Sequence, residues 1–101
     1  MANARIQKTN VTLKMLLDRG ILRVEQELIC ENPTVRGVLN VDGSITVRQG
    51  EIEKRFDFLS GAARFIEKKS INGWLYWGIL INGIKHNLGG FRDQYLKLND
   101  L

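Results

Sequence analysis

The stretch FDFLSGAARFIEKKSINGWLYW, residues 56–77, decides the fold. Within it Leu59, Ala62, Ala63 and Ile66 recur at i, i+3, i+4 and i+7, the pattern of a buried helical stripe. Asp57 precedes the first turn and Ser60 follows three residues later. Either oxygen can accept a hydrogen bond from an orphan N–H at the helix start. Gly61, Ala62 and Ala63 are small and let this end lie close against a neighbour. Arg64, Lys68 and Lys69 occupy the opposite face, the two lysines near the C-terminus, where the helix dipole favours positive charge. Ser70-Ile71-Asn72-Gly73 then ends the helix and turns the chain. Trp74 to Ile81 is rich in aromatic and β-branched residues and predicts a strand, closed by the hairpin pair Asn82-Gly83. In a regular strand Trp74 and Trp77, three apart, point to opposite faces.

Upstream, Thr9 to Thr12 offers several helix N-caps, and Leu13, Leu16 and Leu17 form a stripe over 12–19 that Gly20 closes. Leu22 to Cys30 reads as a strand with Val24, Leu28 and Cys30 inward. Gln26 breaks that face, as at an edge or a bulge. Asn32-Pro33 turns the chain. Val35, Gly37, Leu39 and Val41 face inward on the next strand, Asp42-Gly43 makes a hairpin turn, and Ile45 and Val47 face inward on the third. After Gln49-Gly50 a fourth strand puts Ile52, Phe56 and Phe58 inward, with Lys54 interrupting the row. Downstream, Ile84 to His86 returns as a short strand. Asn87 caps a last helix with Leu88, Phe91, Tyr95 and Leu98 on one side. These elements predict an α+β domain: a twisted antiparallel sheet, a β-meander of about five or six strands, packed by three helices. Residues 1–10 form a flexible lead-in, with Arg5 and Lys8 as a basic arm, and 11–101 a single domain.

Composition narrows the function. The chain has 101 residues, 44% of them hydrophobic, with a single proline, which excludes a disordered chain. One cysteine excludes an internal disulfide, and one cysteine with one histidine cannot make a four-ligand zinc site. A reducing, intracellular setting is the natural reading. No apolar run is long enough to span a bilayer, and no signal segment opens the chain. The net charge of +4, from 15 Lys and Arg against 11 Asp and Glu, leans toward a polyanion partner. No Ser/His/Asp or Cys/His constellation and no glycine-rich phosphate loop stands in the sequence, so the reading is not an enzyme.

Four tracts carry a family resemblance: Val11-Thr12-Leu13-Lys14-x-Leu16-x-x-x-Gly20-x-Leu22, the Asp42-Gly43 turn with Ile45, Asn72-Gly73-Trp74-x-x-Trp77, and Leu88-x-x-Phe91-Arg92-x-x-Tyr95-Leu96. Together they resemble the RAMA domain, the restriction enzyme adenine methylase associated module, over residues 11–98. Where the family has a Ser-Pro-Ser-Ala run this chain has Phe58-Leu59-Ser60-Gly61, keeping only Ser60. The resemblance implies a non-enzymatic DNA-binding module without cofactor, metal or small-molecule substrate. Its partner would be double-stranded DNA, in some members carrying N6-methyladenine. The setting would be a larger nuclear or DNA-processing protein, with the bacterial cytoplasm as the alternative to the nucleus. A protein-interaction module in a chromatin or DNA-processing assembly is the other reading. It would use an exposed apolar patch at Phe65, Phe91 and Ile71.

Each candidate residue has two readings. Arg64, Lys68 and Lys69 can bind phosphate or form a solvated helix face. Trp74 can stack on a base, while at least one tryptophan belongs to the core. Asn72 can read adenine or serve as a turn residue. Arg92 can reach phosphate or bridge to Asp93 or Asp57. Ser60 completes the candidate DNA-binding set. His86 reads as a surface residue and Cys30 as a small buried hydrophobe.

Overall fold

The computed structural model describes residues 10–99. The expected lead-in, apart from Asn10, lies outside the described residues, as do Arg5 and Lys8. Thr12 starts α1 (Leu13–Asp18): its Oγ1 accepts the Met15 N–H at 3.3 Å, and Leu13 and Leu16 are buried. Gly20, at φ 78°, ends the helical segment where its left-handed conformation is least costly.

The strand expected over Leu22–Cys30 is shorter than its composition suggests. Only β1 (Glu27–Leu28) joins the ladder with the next strand, because Glu25 takes φ 67° and its N–H bonds the Leu39 carbonyl at 2.7 Å ahead of it. Val24 is consequently exposed rather than inward. β2 (Val35–Leu39), β3 (Ile45–Gln49) and β4 (Ile52–Phe56) follow as a meander, giving the antiparallel order β1-β2-β3-β4. The register runs from Val35↔Gln49 to Leu39↔Ile45 and on to Ile45↔Phe56. Val35, Leu39, Ile45 and Val47 are buried, as their alternation requires. Val41, Ile52 and Phe58, also expected inward, are exposed. Val41 lies in the turn, Ile52 at the start of an edge strand and Phe58 beyond its end, so the alternation continues where the ladder and its covering layer do not.

α2 (Leu59–Glu67) lays Leu59, Ala62 and Ala63 on the core. Its N-cap is Phe58, with no side-chain cap bond, so neither Asp57 nor Ser60 plays the capping part expected of it. The strand expected from Trp74 divides into two elements. Residues 73–76 form a helical turn, α3 (Gly73–Tyr76), and only β5 (Gly78–Ile81) is extended. Asn72 Oδ1 accepts the Trp74 N–H at 3.0 Å, and this cap together with the close seat of Gly73 on α2 overrides the strand preference of the aromatics. β5 pairs with β6 (Ile84–Asn87) across Asn82-Gly83, and Asn87 Oδ1 accepts the Gly90 N–H to cap α4 (Leu88–Asn99). The architecture is α+β. Among the described residues six strands form a four-stranded and a two-stranded sheet, joined by an isolated Ile29↔Gly78 bridge, and the helices number four because of α3. No helix among the described residues is long and apolar enough to cross a membrane.

Candidate functional site

Two regions gather the polar residues. The first is a cleft of about 490 Å³ between the start of α1, the β2–β3 turn, and the facing starts of α2 and α3. Ser60, Asn72 and Trp74 line it, and so do Arg55, Phe58 and Asp42. Two glycines make its walls meet. A Cβ on Gly43 would lie 2.8 Å from the Lys14 nitrogen, and one on Gly73 would lie 2.4 Å from the Leu59 carbonyl carbon. Arg55 crosses the cleft wall, reaching Asp42 Oδ2 at 2.6 Å and Asp57 Oδ1 at 3.1 Å. Lys14, the remaining charged lining residue, pairs with Asp18.

Asp42 is held most firmly. The Ser44 hydroxyl donates to Oδ1 at 2.5 Å and the Ser44 N–H at 3.0 Å, and Arg55 holds the other oxygen. These bonds, Ser44 first, keep its carboxyl well below the usual carboxylate range. A carboxyl depressed by folding contributes stability above its unfolded pKa of about 4, and that contribution is lost as pH falls below it. Asp42→Asn should therefore show a shallower fall of melting temperature between about pH 4 and pH 2 than the parent chain. Thermal melts across that range check it; an unaltered slope would mean that the bonds to Asp42 do not persist in solution.

The second region is a cationic ridge at the end of α2. Arg64, Lys68 and Lys69 are all exposed. Lys68 sits at the helix C-cap in the left-handed conformation, φ 63°, and swings its ammonium to 4.9 Å from the Phe65 ring centroid. Lys54, from β4, lies 5.3 Å from the same ring. Among the described residues Arg64 meets only Ser70 Oγ, at 3.4 Å. Glu67, the acid nearest in sequence, accepts instead from the Tyr76 hydroxyl at 2.7 Å. Burial above all holds that hydroxyl protonated, well above the usual phenol range. Elsewhere Lys14, Arg48, Arg55 and Lys85 each meet a carboxylate. Among the described residues Lys54, Arg64, Lys68 and Lys69 meet none.

The candidate set thus separates. Ser60, Asn72 and Trp74 share the cleft, and Arg64, Lys68 and Lys69 share the ridge. Arg92 joins neither surface. It is 8% exposed, its guanidinium stacks 4.7 Å from the Trp74 centroid, and it bridges to neither Asp93 nor Asp57. Little of its guanidinium is open to a phosphate in this conformation, because it lies against Trp74 where α3 and α4 pack together. Asn72 uses its carbonyl oxygen as the α3 cap and keeps its amide nitrogen free to donate to a ligand. The apolar patch expected at Phe65, Phe91 and Ile71 is half-buried; Phe65 packs on Phe56 at 5.3 Å. Arg55, Phe58 and Asp42 escaped the sequence reading as cleft residues, although Asp42-Gly43 beside Asn72-Gly73 marked the two turns that meet there. Among the described residues no cluster of His, Cys, Asp and Glu could hold a metal ion.

The sequence matches the RAMA family, Restriction Enzyme Adenine Methylase Associated, over residues 1–100. No curated protein matches it.

Proposed function

The chain belongs to the RAMA family, and from that premise we propose that it is a non-enzymatic module that engages double-stranded DNA through the ridge at the end of α2. One observation carries the reading. Lys54 and Lys68 hold their ammonium groups over a single phenyl ring, beside Arg64 and Lys69, with no carboxylate among the described residues to neutralise them. Unpaired cations gathered on one surface favour a polyanion. The family's adenine-methylase association makes N6-methyladenine the modification to test. It also favours the bacterial cytoplasm, the alternative to the nucleus, as the setting.

The test is a salt titration of duplex binding. Each phosphate neutralised should add about −0.9 to the slope of log K against log salt. The double charge reversal Arg64→Glu with Lys68→Glu should lower affinity at low salt at least tenfold and reduce the slope by about 2, with the fold unchanged by circular dichroism. A methyl group buried on binding contributes only ~0.8 kcal/mol, so preference for methylated duplex should be no more than about fourfold. No duplex binding at low salt would remove the reading, and an unaffected charge-reversed variant would move the DNA elsewhere on the surface.

A second reading rests on a different surface. Leu80, Ile81 and Ile84, at the β5–β6 hairpin, are 57%, 42% and 63% exposed. Large apolar side chains clustered on a hairpin tip suit a protein partner in a DNA-processing assembly. Duplex binding that fails at low salt would favour this surface.

A further inference from the structure

We propose that the cleft between α1 and the starts of α2 and α3 takes up a single unpaired purine base of DNA, stacked against Trp74 and Phe58. This rests on the DNA reading above and adds a second contact of different chemistry. The cleft is too neutral for phosphate: Arg55 is paired with Asp42 and Asp57, and Lys14 with Asp18. What it offers is aromatic surface and uncommitted donors. Phe58 is 71% exposed although it borders the cleft, so most of its ring stands open. Trp74 is half-buried and held from outside the cleft by Arg92. Arg92 Nε is buried with no hydrogen-bond partner among the described residues. An arginine without a carboxylate is costly to bury, and the indole face is what compensates it. That cation fixes the ring and leaves its remaining surface to the cleft.

Polar groups suit a purine edge. Asn72 keeps an amide N–H donor once its oxygen caps α3, and the Ser60 hydroxyl, released from capping, can donate as well. Purine ring nitrogens are acceptors. The volume, about 490 Å³, lies within the range of small-molecule sites. Cleft and ridge also share one helix. α2 begins at the cleft and ends at Lys68, a span of about 13 Å at 1.5 Å per residue. A DNA strand advances about 3.4 Å per phosphate, so a strand with one base in the cleft would carry its phosphates along α2 to the ridge.

The experiment measures affinity of the full chain for three DNAs: a fully paired duplex, the same duplex with one bulged adenine, and one with an abasic bulge at that position. The bulged adenine should bind roughly 5- to 150-fold more tightly than the paired duplex, the range expected for one stacked base. The abasic bulge should lose that gain, which separates base capture from a preference for bent DNA. Phe58→Ala removes an exposed ring and should abolish most of the preference without weakening the paired duplex. Trp74→Ala should do the same but disturbs the core, so Phe58→Ala decides. Charge reversal at Arg64 and Lys68 should weaken all three DNAs by one factor and keep their ratio. Paired-duplex binding with no adenine preference, or a preference that survives Phe58→Ala, overturns the cleft proposal and leaves the ridge reading standing. Failure to bind any of the three overturns both.

Discussion

Replacing Trp77 with alanine should lower unfolding stability by about 3–5 kcal/mol, the largest loss from any single truncation in this domain. Its ring is fully buried and sits over the glycine of β2, where a Cβ on Gly37 would come within 3.0 Å of Cζ3. Tyr76 meets it edge-on at 5.4 Å, and Nε1 donates to the Leu59 carbonyl at 3.2 Å. Truncation therefore leaves a cavity between sheet and α2 that Gly37 cannot help fill, and it removes a second donor from a carbonyl whose helical bond to Ala63 remains. A domain of this size is stable by on the order of 5–15 kcal/mol, so the variant should be marginal. Trp77→Phe separates the two losses: most of the packing remains, and the lost indole hydrogen bond costs about 0.5–1.5 kcal/mol. Urea unfolding of both variants checks this. A loss below about 1 kcal/mol for alanine would mean that Trp77 does not occupy the core.

The same residue shows how far the sequence could be read. Alternation identified the inner rows of β2 and β3, since one face of each is covered along its whole ladder. Asp42-Gly43, Gln49-Gly50 and Asn82-Gly83 identified the turns, because each needs a left-handed residue, and all three have one. Residues 74–77 misled for a physical reason. Trp, Leu, Tyr, Trp has the composition of a strand, but β preference mainly records how side chains pack on a pleated surface. Here Asn72 caps a helical turn, and α2 accepts that turn because position 73 has no side chain. Both cues are local and both stood in the sequence, outweighed by the aromatics that follow them.

The site was legible in pieces. Arg64, Lys68 and Lys69 are surface cations because the apolar stripe of α2 leaves them no other place. Arg92 was not legible. Nothing in the periodicity of α4 announces an arginine packed under a tryptophan from another helix; that depends on the crossing of α3 with α4. Asp57 and Ser60 were assigned to a cap by type and spacing. Asp57 is taken instead by Arg55, a partner two residues back on the edge strand, and Ser60 is left for the cleft.

Gly73→Ala opposes two known quantities and so tests how closely α2 and α3 meet. In a helix, alanine is favoured over glycine by up to about 1 kcal/mol. At position 73 the added methyl would lie 2.4 Å from the Leu59 carbonyl carbon and 2.5 Å from both the Leu59 Cβ and the Ser60 nitrogen. Those atoms are backbone or fixed to it, so no side chain can swing aside; the helices must separate. Overpacking of this kind costs about 1–3 kcal/mol and occasionally more, and with contacts this short the upper end applies. A net loss of about 2–3 kcal/mol is expected, with a further consequence that propensity alone would not produce. Separating Gly73 from Leu59 and Ser60 moves Asn72 and Trp74 away from Phe58, so the adenine-bulge preference should fall even under conditions where the variant is folded. Gly61→Ala supplies the control. It lies inside α2 and would meet only Phe56 Cδ1, at 3.8 Å, an ordinary contact. There alanine should raise stability by about 0.5–1 kcal/mol. Opposite shifts of this kind in two glycines of one helix pair cannot come from propensity. If Gly73→Ala were neutral or stabilising, the close seat of α3 on α2 would be wrong, and with it the geometry that brings Trp74 to the cleft.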